Sequence, residues 1–414
     1  MCAVPTKKAD AAGGGKQNQK ICCFCEQWES GGIESFLANA YAHMDLTQMQ
    51  IDIVAARLGS SIFTKPLEQA GVVFYELAGS TRSLIRNWQL FQKLLREKEY
   101  DVVHLNIFHG LSLLYALLAK KEGVAVRIVH SHNTALRRSR SRLFKLAVHR
   151  TACLLLADTA THRWACSGQA ARFLFPGRIL KKTGFTFIPN GIDTGRFIRD
   201  EAIRRQMRAR MHLEGRLVIG NVGRLCYQKN QKFLLEVLAA VQKRIPQSTL
   251  LFIGEGEDRG LLERLAARAG LSDAVLFWGT TDHVERMYQA MDVFAFPSLF
   301  EGLGIAALEA QASGLVTLCS EHVPQEAFVT ALARRISLKR GAGCWADAVL
   351  AAAEEGGFFK GYAVEQYRQG TAVSAAACEQ LRQAGFDCAG AAEKIQCAYT
   401  RAVRMRNRSG GKQI

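Results

Sequence analysis

Phe185-Thr186-Phe187-Ile188-Pro189-Asn190-Gly191-Ile192-Asp193 lies near the middle of the 414-residue chain and separates two stretches that repeat one rhythm. It reads as a strand stopped by proline and followed by an Asn-Gly turn signal. Upstream, short β-rich apolar runs at Ile21 to Cys25, Ile51 to Ala55, Val72 to Glu76, Val102 to Leu105 and Val126 to Val129 read as strands. Between them, Ile33 to Ala42, Leu84 to Glu97 and Leu111 to Lys121 carry apolar residues at three- and four-residue spacing, the period of a helix with one face on a sheet. Downstream the pattern restarts with strands at Leu217 to Val222, Thr249 to Ile253, Val275 to Trp278, Val293 to Phe296 and Val316 to Cys319. Phe233 to Arg244, Leu261 to Ala269, Val284 to Ala290 and Ile305 to Ala312 read as the helices between those strands. Strand and helix in alternation predict an α/β chain with a parallel, doubly wound sheet on each side of the divide.

The expected domains are residues 21–190 and 191–390, with a flexible tail at 1–20 and a basic flexible tail at 404–414. A helical pattern at Ala391 to Val403 precedes the second tail. Hydrophobic residues make up 49% and charged residues 22%, enough apolar surface for two cores and too little charge for wholesale disorder. No run approaches the ~20 apolar residues of a membrane span, and the polar, lysine-bearing start of the chain is not a secretory signal. Cys22, Cys23, Cys25, Cys153 and Cys319 fall inside apolar runs, so they read as buried thiols in a reducing cytoplasm rather than as a disulfide framework or a zinc site.

A net charge of +17 biases the chain toward anionic partners. Nucleic acid does not fit the pattern, because the basic residues are not interleaved with aromatics and no nucleic-acid fold motif accompanies them. From Gly123 to Ala157 seven basic residues occur before the first acidic one, with Arg137, Arg138, Arg140, Arg142, Lys145 and Arg150 closely spaced. That stretch is either a solvated helix face or a surface for anionic lipid, the latter placing the protein on the inner face of the cytoplasmic membrane.

Ligands of open parallel sheets bind beyond the carboxyl ends of the strands, so the residues following each strand carry the chemistry. After the first strand, Gly31 and Gly32 open a helix, where backbone amides free of a Cβ can approach an anion. After Val222 come Gly223-Arg224 and then Lys229-Asn230 at the start of a helix, two cations placed for a diphosphate. Of the two, Lys229 is the one expected in a solvated loop, since Arg224 follows a buried strand directly. The strongest element is Glu301-Gly302-Leu303-Gly304-Ile305-Ala306-Ala307-Leu308-Glu309. Glu301 lies in a loop whose glycines admit a ligand, and Glu309 lies on the following helix among apolar neighbours. Eight positions around a helix would set the two carboxylates roughly 80° apart, so they need not share one task. His132, at the end of a strand, can hydrogen-bond a reacting sugar, while His130 points toward the sheet.

Together these residues resemble the retaining GT-B glycosyltransferases of family 4 (group 1), in particular those of exopolysaccharide or capsule assembly. The resemblance rests on Gly31-Gly32-Ile33-Glu34, Val129 to Thr134, Ile188 to Asp193, Val222 to Leu225 with Lys229-Asn230, and Glu301-x7-Glu309. It implies two Rossmann-like domains facing across a cleft, an acceptor domain first and a donor domain second, with the helix 391–403 crossing back to complete the first. It implies transfer of a sugar, with a UDP-sugar favoured as donor, to a hydroxyl of a lipid-linked or oligosaccharide acceptor. By the same resemblance Arg224 and Lys229 hold the diphosphate, Glu309 the ribose and Glu301 the sugar. Gly32 offers its amide to phosphate, with Gly31, Gly302, Leu303 and Gly304 shaping the donor site, and His132 faces the reaction centre. No metal and no cofactor is expected, since the two cations and helix amides can meet the departing charge. Gly304 departs from the Pro or Phe of many relatives. Two other readings are a sugar-nucleotide epimerase on the same fold and a non-catalytic basic protein that binds nucleic acid.

Overall fold

The computed structural model describes residues 18–29, 31–136, 141–358 and 364–410. Two parallel sheets organise them. The first holds β1 (Gln19–Trp28), β2 (Met49–Leu58), β3 (Val73–Glu76), β4 (Val102–Ile107), β5 (Val126–Ser131), β6 (His162–Ala165) and β7 (Thr186–Phe187) in the order β3-β2-β1-β4-β5-β6-β7. The second holds β8 (Leu217–Val222), β9 (Ser248–Ile253), β10 (Val275–Gly279), β11 (Val293–Phe296), β12 (Val316–Ser320) and β13 (Ala333–Ile336) in the order β10-β9-β8-β11-β12-β13. Central strands such as Ile21-Cys22-Cys23-Phe24 and Phe294-Ala295-Phe296 are buried on both faces, which is why they read as continuous apolar runs. The order reverses between β1 and β4 and again between β8 and β11, and the crevice at such a switch point is where doubly wound sheets take ligands.

The middle of the chain behaves differently from a turn. Ile192 donates to the Phe386 carbonyl (2.8 Å) and Cys388 donates back to Ile192 (3.1 Å), so two connecting segments run side by side. A Cβ on Gly191 would lie 2.8 Å from the Asp387 carbonyl oxygen and the Cys388 Cα. The glycine of the Asn-Gly pair therefore serves close approach of two backbones rather than a reversal.

Beyond this crossing, the helix Cys388–Gly410 lies on the helix Gly32–Ala42, and Ala392, Ile395 and Tyr399 enter the first domain's core. Its backbone stays helical through Gly410, beyond the Val403 at which the sequence pattern ends; residues 411–414 lie outside the described residues. At the other end, Gln19 and Lys20 belong to β1, paired with Met49 and Gln50, so the tail expected at 1–20 is shorter by those two, with 1–17 outside the described residues. The five cysteines read as buried are buried and unpaired. No described helix is long and apolar enough to cross a membrane.

Candidate active site

The loop leaving β11 runs Pro297 to Gly304, and the helix Ile305–Ala312 starts after Gly304, whose φ of 98° suits glycine. Glu301 thus precedes the helix, and the angular relation expected between it and Glu309 does not apply. The loop bridges the two domains. Thr134 Oγ1 donates to the Glu301 carbonyl (2.8 Å), Ser167 Oγ donates to the Gly302 carbonyl (2.6 Å), and a Cβ on Gly302 would collide with the His132 carbonyl oxygen. Leu303 is buried beside them.

The loop after β8 is stitched to the same place: Leu299 N donates to the Gln228 carbonyl (2.8 Å) and Gln228 Nε2 to the Phe300 carbonyl (2.9 Å). Lys229 Nζ meets Glu301 Oε1 at 2.7 Å and stands 4.8 Å from the centroid of the Phe296 ring. Both partners are withdrawn from solvent, the Lys229 side chain 16% exposed and that of Glu301 6%. Arg224 is the opposite case, its side chain 59% exposed and paired with Glu257 at 3.2 Å. The expected ranking of the two cations is therefore reversed: Arg224 follows a buried strand but turns outward, while Lys229 is drawn in by a buried carboxylate. Gly223, at φ 142°, leaves the lysine stem room, since a Cβ there would sit 3.3 Å from Lys229 Cε.

Glu309 keeps partial exposure and accepts a hydrogen bond from Tyr288 Oη at 2.8 Å. Burial pushes its carboxyl up to about 7, against the lowering effect of Tyr288, Arg196 and Lys229. Lys229 therefore lies within electrostatic reach of both glutamates.

Across the cleft, Gly32 begins the helix Gly32–Ala42 with Gly31 as its cap, and a Cβ on Gly32 would come 3.9 Å from Ile305 Cδ1 of the second domain. This helix start is not bare. Glu34 folds back so that a Cβ on Gly31 would lie 2.6 Å from Glu34 Oε2, and Glu34 Oε1 accepts from Glu29 N at 3.3 Å. Burial raises the Glu34 carboxyl to about 7. Glu34 belongs to the Gly31-Gly32-Ile33-Glu34 motif, but nothing in the sequence assigns it a task. No motif marks Glu326, whose Oε1 accepts from Gly168 N (2.6 Å) and ties the two domains from the other side.

His132 is buried at the end of β5; its Nε2 is 2.9 Å from Asn106 Oδ1, and desolvation lowers its pKa to about 3. His130 turns into the sheet, its ring centroid 3.9 Å from that of His132 and its Nδ1 3.3 Å from His104 Nε2. His104 Nδ1 in turn is 2.7 Å from Tyr399 Oη of the returning helix. The sequence-predicted site residues thus gather at the ends of β1, β5, β8 and β11, at both switch points. Asn106 and Tyr399 carried no motif signal, because their places follow from sheet order and from the returning helix.

Of the basic stretch, Arg137, Arg138 and Arg140 lie outside the described residues. The helix Arg142–Leu156 follows, buries His149, Ala152 and Cys153, and leaves Leu143 (83% exposed), Phe144, Leu154 and Leu155 in solvent beside exposed Arg142, Lys145 and Arg150.

Residues 30–196 match the model of Glycosyltransferase Family 4 and residues 203–352 that of Glycosyl transferases group 1. The chain is 32% identical over 333 residues to the putative glycosyltransferase EpsF of Bacillus subtilis, covering 79% of this chain and 85% of that protein. It is 27% identical over 234 residues to the UDP-Gal:alpha-D-GlcNAc-diphosphoundecaprenol alpha-1,3-galactosyltransferase of Escherichia coli, covering 55% of this chain and 59% of that one. Among solved structures, Anabaena Alr3699/HepE in complex with UDP-glucose superposes with a TM-score of 0.74 at 18% identity, over 93% of this chain and 100% of that one.

Proposed function

The chain belongs to the group 1, family 4 glycosyltransferases and has their GT-B fold, and from that premise we propose that it moves a sugar, with retention at the anomeric carbon and without a metal, from a UDP-sugar to a hydroxyl of a lipid-linked or glycan acceptor in surface polysaccharide synthesis. The observation that carries the reading is the Lys229–Glu301 pair, buried under a glycine-flanked loop that touches the His132 backbone across the cleft. The relatives support it further: EpsF is named a putative glycosyltransferase, the Escherichia coli relative takes UDP-Gal and a diphosphoundecaprenol acceptor, and the HepE structure holds UDP-glucose.

Glycosyl transfer passes through an oxocarbenium-like state, so the largest task is to stabilise the departing diphosphate while the acceptor hydroxyl is held in place. In this reading Lys229 and Arg224 receive the diphosphate, Lys229 as a nearly dry charge already oriented by Glu301 and Arg224 as an outer, solvent-exposed one that exchanges Glu257 for the phosphate. The Gly32 amide at the head of its helix adds a donor once the Glu34 carboxylate gives way. Glu301 accepts from sugar hydroxyls, Glu309 from the ribose diol, and Gly31, Gly302, Leu303 and Gly304 keep the backbone low enough for the donor to lie between the domains. Burial keeps the His132 imidazole neutral, so it serves as a hydrogen-bond partner for the sugar rather than as a cation.

The membrane part rests on the helix Arg142–Leu156: cations interspersed with solvent-facing Leu143, Phe144, Leu154 and Leu155 suit an acidic bilayer surface, where a lipid-linked acceptor resides. The test is donor consumption with and without acceptor glycolipid, followed by the anomeric configuration of the product. Acceptor-dependent release of nucleoside diphosphate with the donor's configuration kept is the expected result. Conversion of the donor to an isomer without acceptor would make the protein an epimerase.

A further inference from the structure

The proposed reaction uses His132 but leaves open which of its two ring nitrogens faces the substrate, and the neighbours of Asn106 decide it. Asn106, at the end of β4, is fully buried and spans two strands. One end of its amide faces the Phe24 carbonyl oxygen at 3.5 Å and Cys23 Sγ at 3.3 Å. A carbonyl can only accept, so that end must be the NH2 group. The amide oxygen is thereby turned to His132 Nε2 at 2.9 Å, and an amide oxygen can only accept, so Nε2 must carry the proton. The other nitrogen, Nδ1, is buried and has no hydrogen-bond partner among the described residues.

We infer that Asn106 is a positioning residue that locks His132 in its Nε2–H tautomer, so that the bare Nδ1 lone pair accepts a hydrogen bond from a substrate hydroxyl. This rests on the proposed glycosyl transfer for the identity of the substrate, but the tautomer itself does not. A lone pair at that position selects an O–H group and rejects a carbonyl, a carboxylate or a phosphate oxygen, which have no hydrogen to give. An acid at this histidine would do the reverse, so its neutrality is part of the arrangement.

The surroundings keep the ring neutral from every side. His104 on β4 and His130 on β5 are themselves buried and held neutral, His104 with its pKa lowered to about 3. Phe36 of the helix Gly32–Ala42 packs its ring 5.5 Å from that of His132. The same helix carries Glu34 and Tyr41, which bond to Glu29 and Tyr399 instead. Cys23 on β1 is engaged with Asn106, Cys166 after β6 has its thiol pushed up by burial, and Glu301 across the cleft is paired with Lys229. Among the described residues, Asn106 makes the one hydrogen bond to this ring.

Asn106→Asp keeps size and the Nε2–H acceptor but adds a charge that favours the imidazolium, in which both nitrogens are donors. The expected result is a kcat/KM that falls by about tenfold or more at the acid end of the range and climbs as pH rises through a new ionisation absent from the parent. UDP affinity by calorimetry should stay within about twofold, because the histidine faces the sugar and not the nucleotide. A variant that merely loosened the core would lose rate evenly across pH. The 15N spectrum of labelled parent protein needs no variant: a protonated Nε2 and an unprotonated Nδ1 for His132 are expected. A protonated Nδ1 in the parent, or an Asn106→Asp pH profile parallel to the parent's, overturns the inference. If no nucleotide sugar binds at all, the substrate reading fails while the 15N result still decides the tautomer.

Discussion

Replacing Lys229 by Met should destabilise the ligand-free protein, and replacing Glu301 by Gln in the same chain should restore most of the loss. The structure supplies the reason. Glu301 is 5% exposed and its charge is met by Lys229 Nζ at 2.7 Å. Removing one member of a buried pair leaves an uncompensated charge and costs about 3–5 kcal/mol, whereas removing both is often close to neutral. For a domain of roughly 200 residues, about 3 kcal/mol lowers Tm by roughly 6–12 °C. Glu301→Gln alone should cost less, since the lysine side chain, 16% exposed, can turn its ammonium to water. Differential scanning calorimetry of parent, both single variants and the double variant gives the coupling directly. Calorimetric titration with UDP separates stability from binding: the double variant should regain its Tm and still bind UDP weakly, since the cation is gone. A Lys229→Met protein within about 0.5 kcal/mol of the parent would refute the reasoning, because the lysine would then be an ordinary solvated one.

Glu309→Gln should raise stability at pH 8 and leave it unchanged near pH 4.5. The parent carboxyl titrates at about 7 in the fold, against an ordinary value of 4.5. Its contribution is thus present at low pH and lost as pH rises through the folded value, by at most about 3 kcal/mol; chemical denaturation at the two pH values measures it, and an equal effect at both would contradict the burial argument. Changing Arg142, Leu143, Phe144 and Lys145 together to Ser should reduce co-sedimentation with acidic vesicles while turnover of a soluble acceptor persists; unchanged sedimentation would remove the membrane surface from the account.

Strands buried on both faces were legible because burial forces them into unbroken apolar runs: Leu217–Val222 and Val293–Phe296 have the bounds their sequence predicts. β6 and β13 were not. His162-Arg163-Trp164-Ala165 and Ala333-Arg334-Arg335-Ile336 are four residues each and half polar, and they become strands through the neighbours that pair with them. The alanine- and glycine-rich helix Gly341–Glu355 likewise lacks a start signal, since Gly341 at φ 75° opens it without a capping side chain. At the site, Glu301 and His132 announced themselves because glycines or a strand end flank them, and Glu309 because it is a carboxylate among alanines and Leu308 on a helix. Asn106 and Tyr399 did not, because each acts through a partner remote in sequence, at separations of 26 residues for Asn106 with His132 and 295 for Tyr399 with His104. The misjudged order of Arg224 and Lys229 has the same origin: local sequence shows which residue follows a strand, but not which carboxylate waits across the next loop.

In the proposed function the loop Glu301 to Gly304 holds the sugar of a nucleotide donor. Its most direct test is turnover of Glu301→Gln against a panel of UDP-glucose, UDP-galactose, UDP-N-acetylglucosamine and GDP-mannose, beside calorimetry with the free nucleotide. Glu301→Gln keeps shape and hydrogen-bonding reach but loses charge, so kcat with the best donor should fall by about a hundredfold while nucleotide affinity changes by only a few-fold. Full turnover in Glu301→Gln would show that the buried pair is structural and that the sugar lies elsewhere.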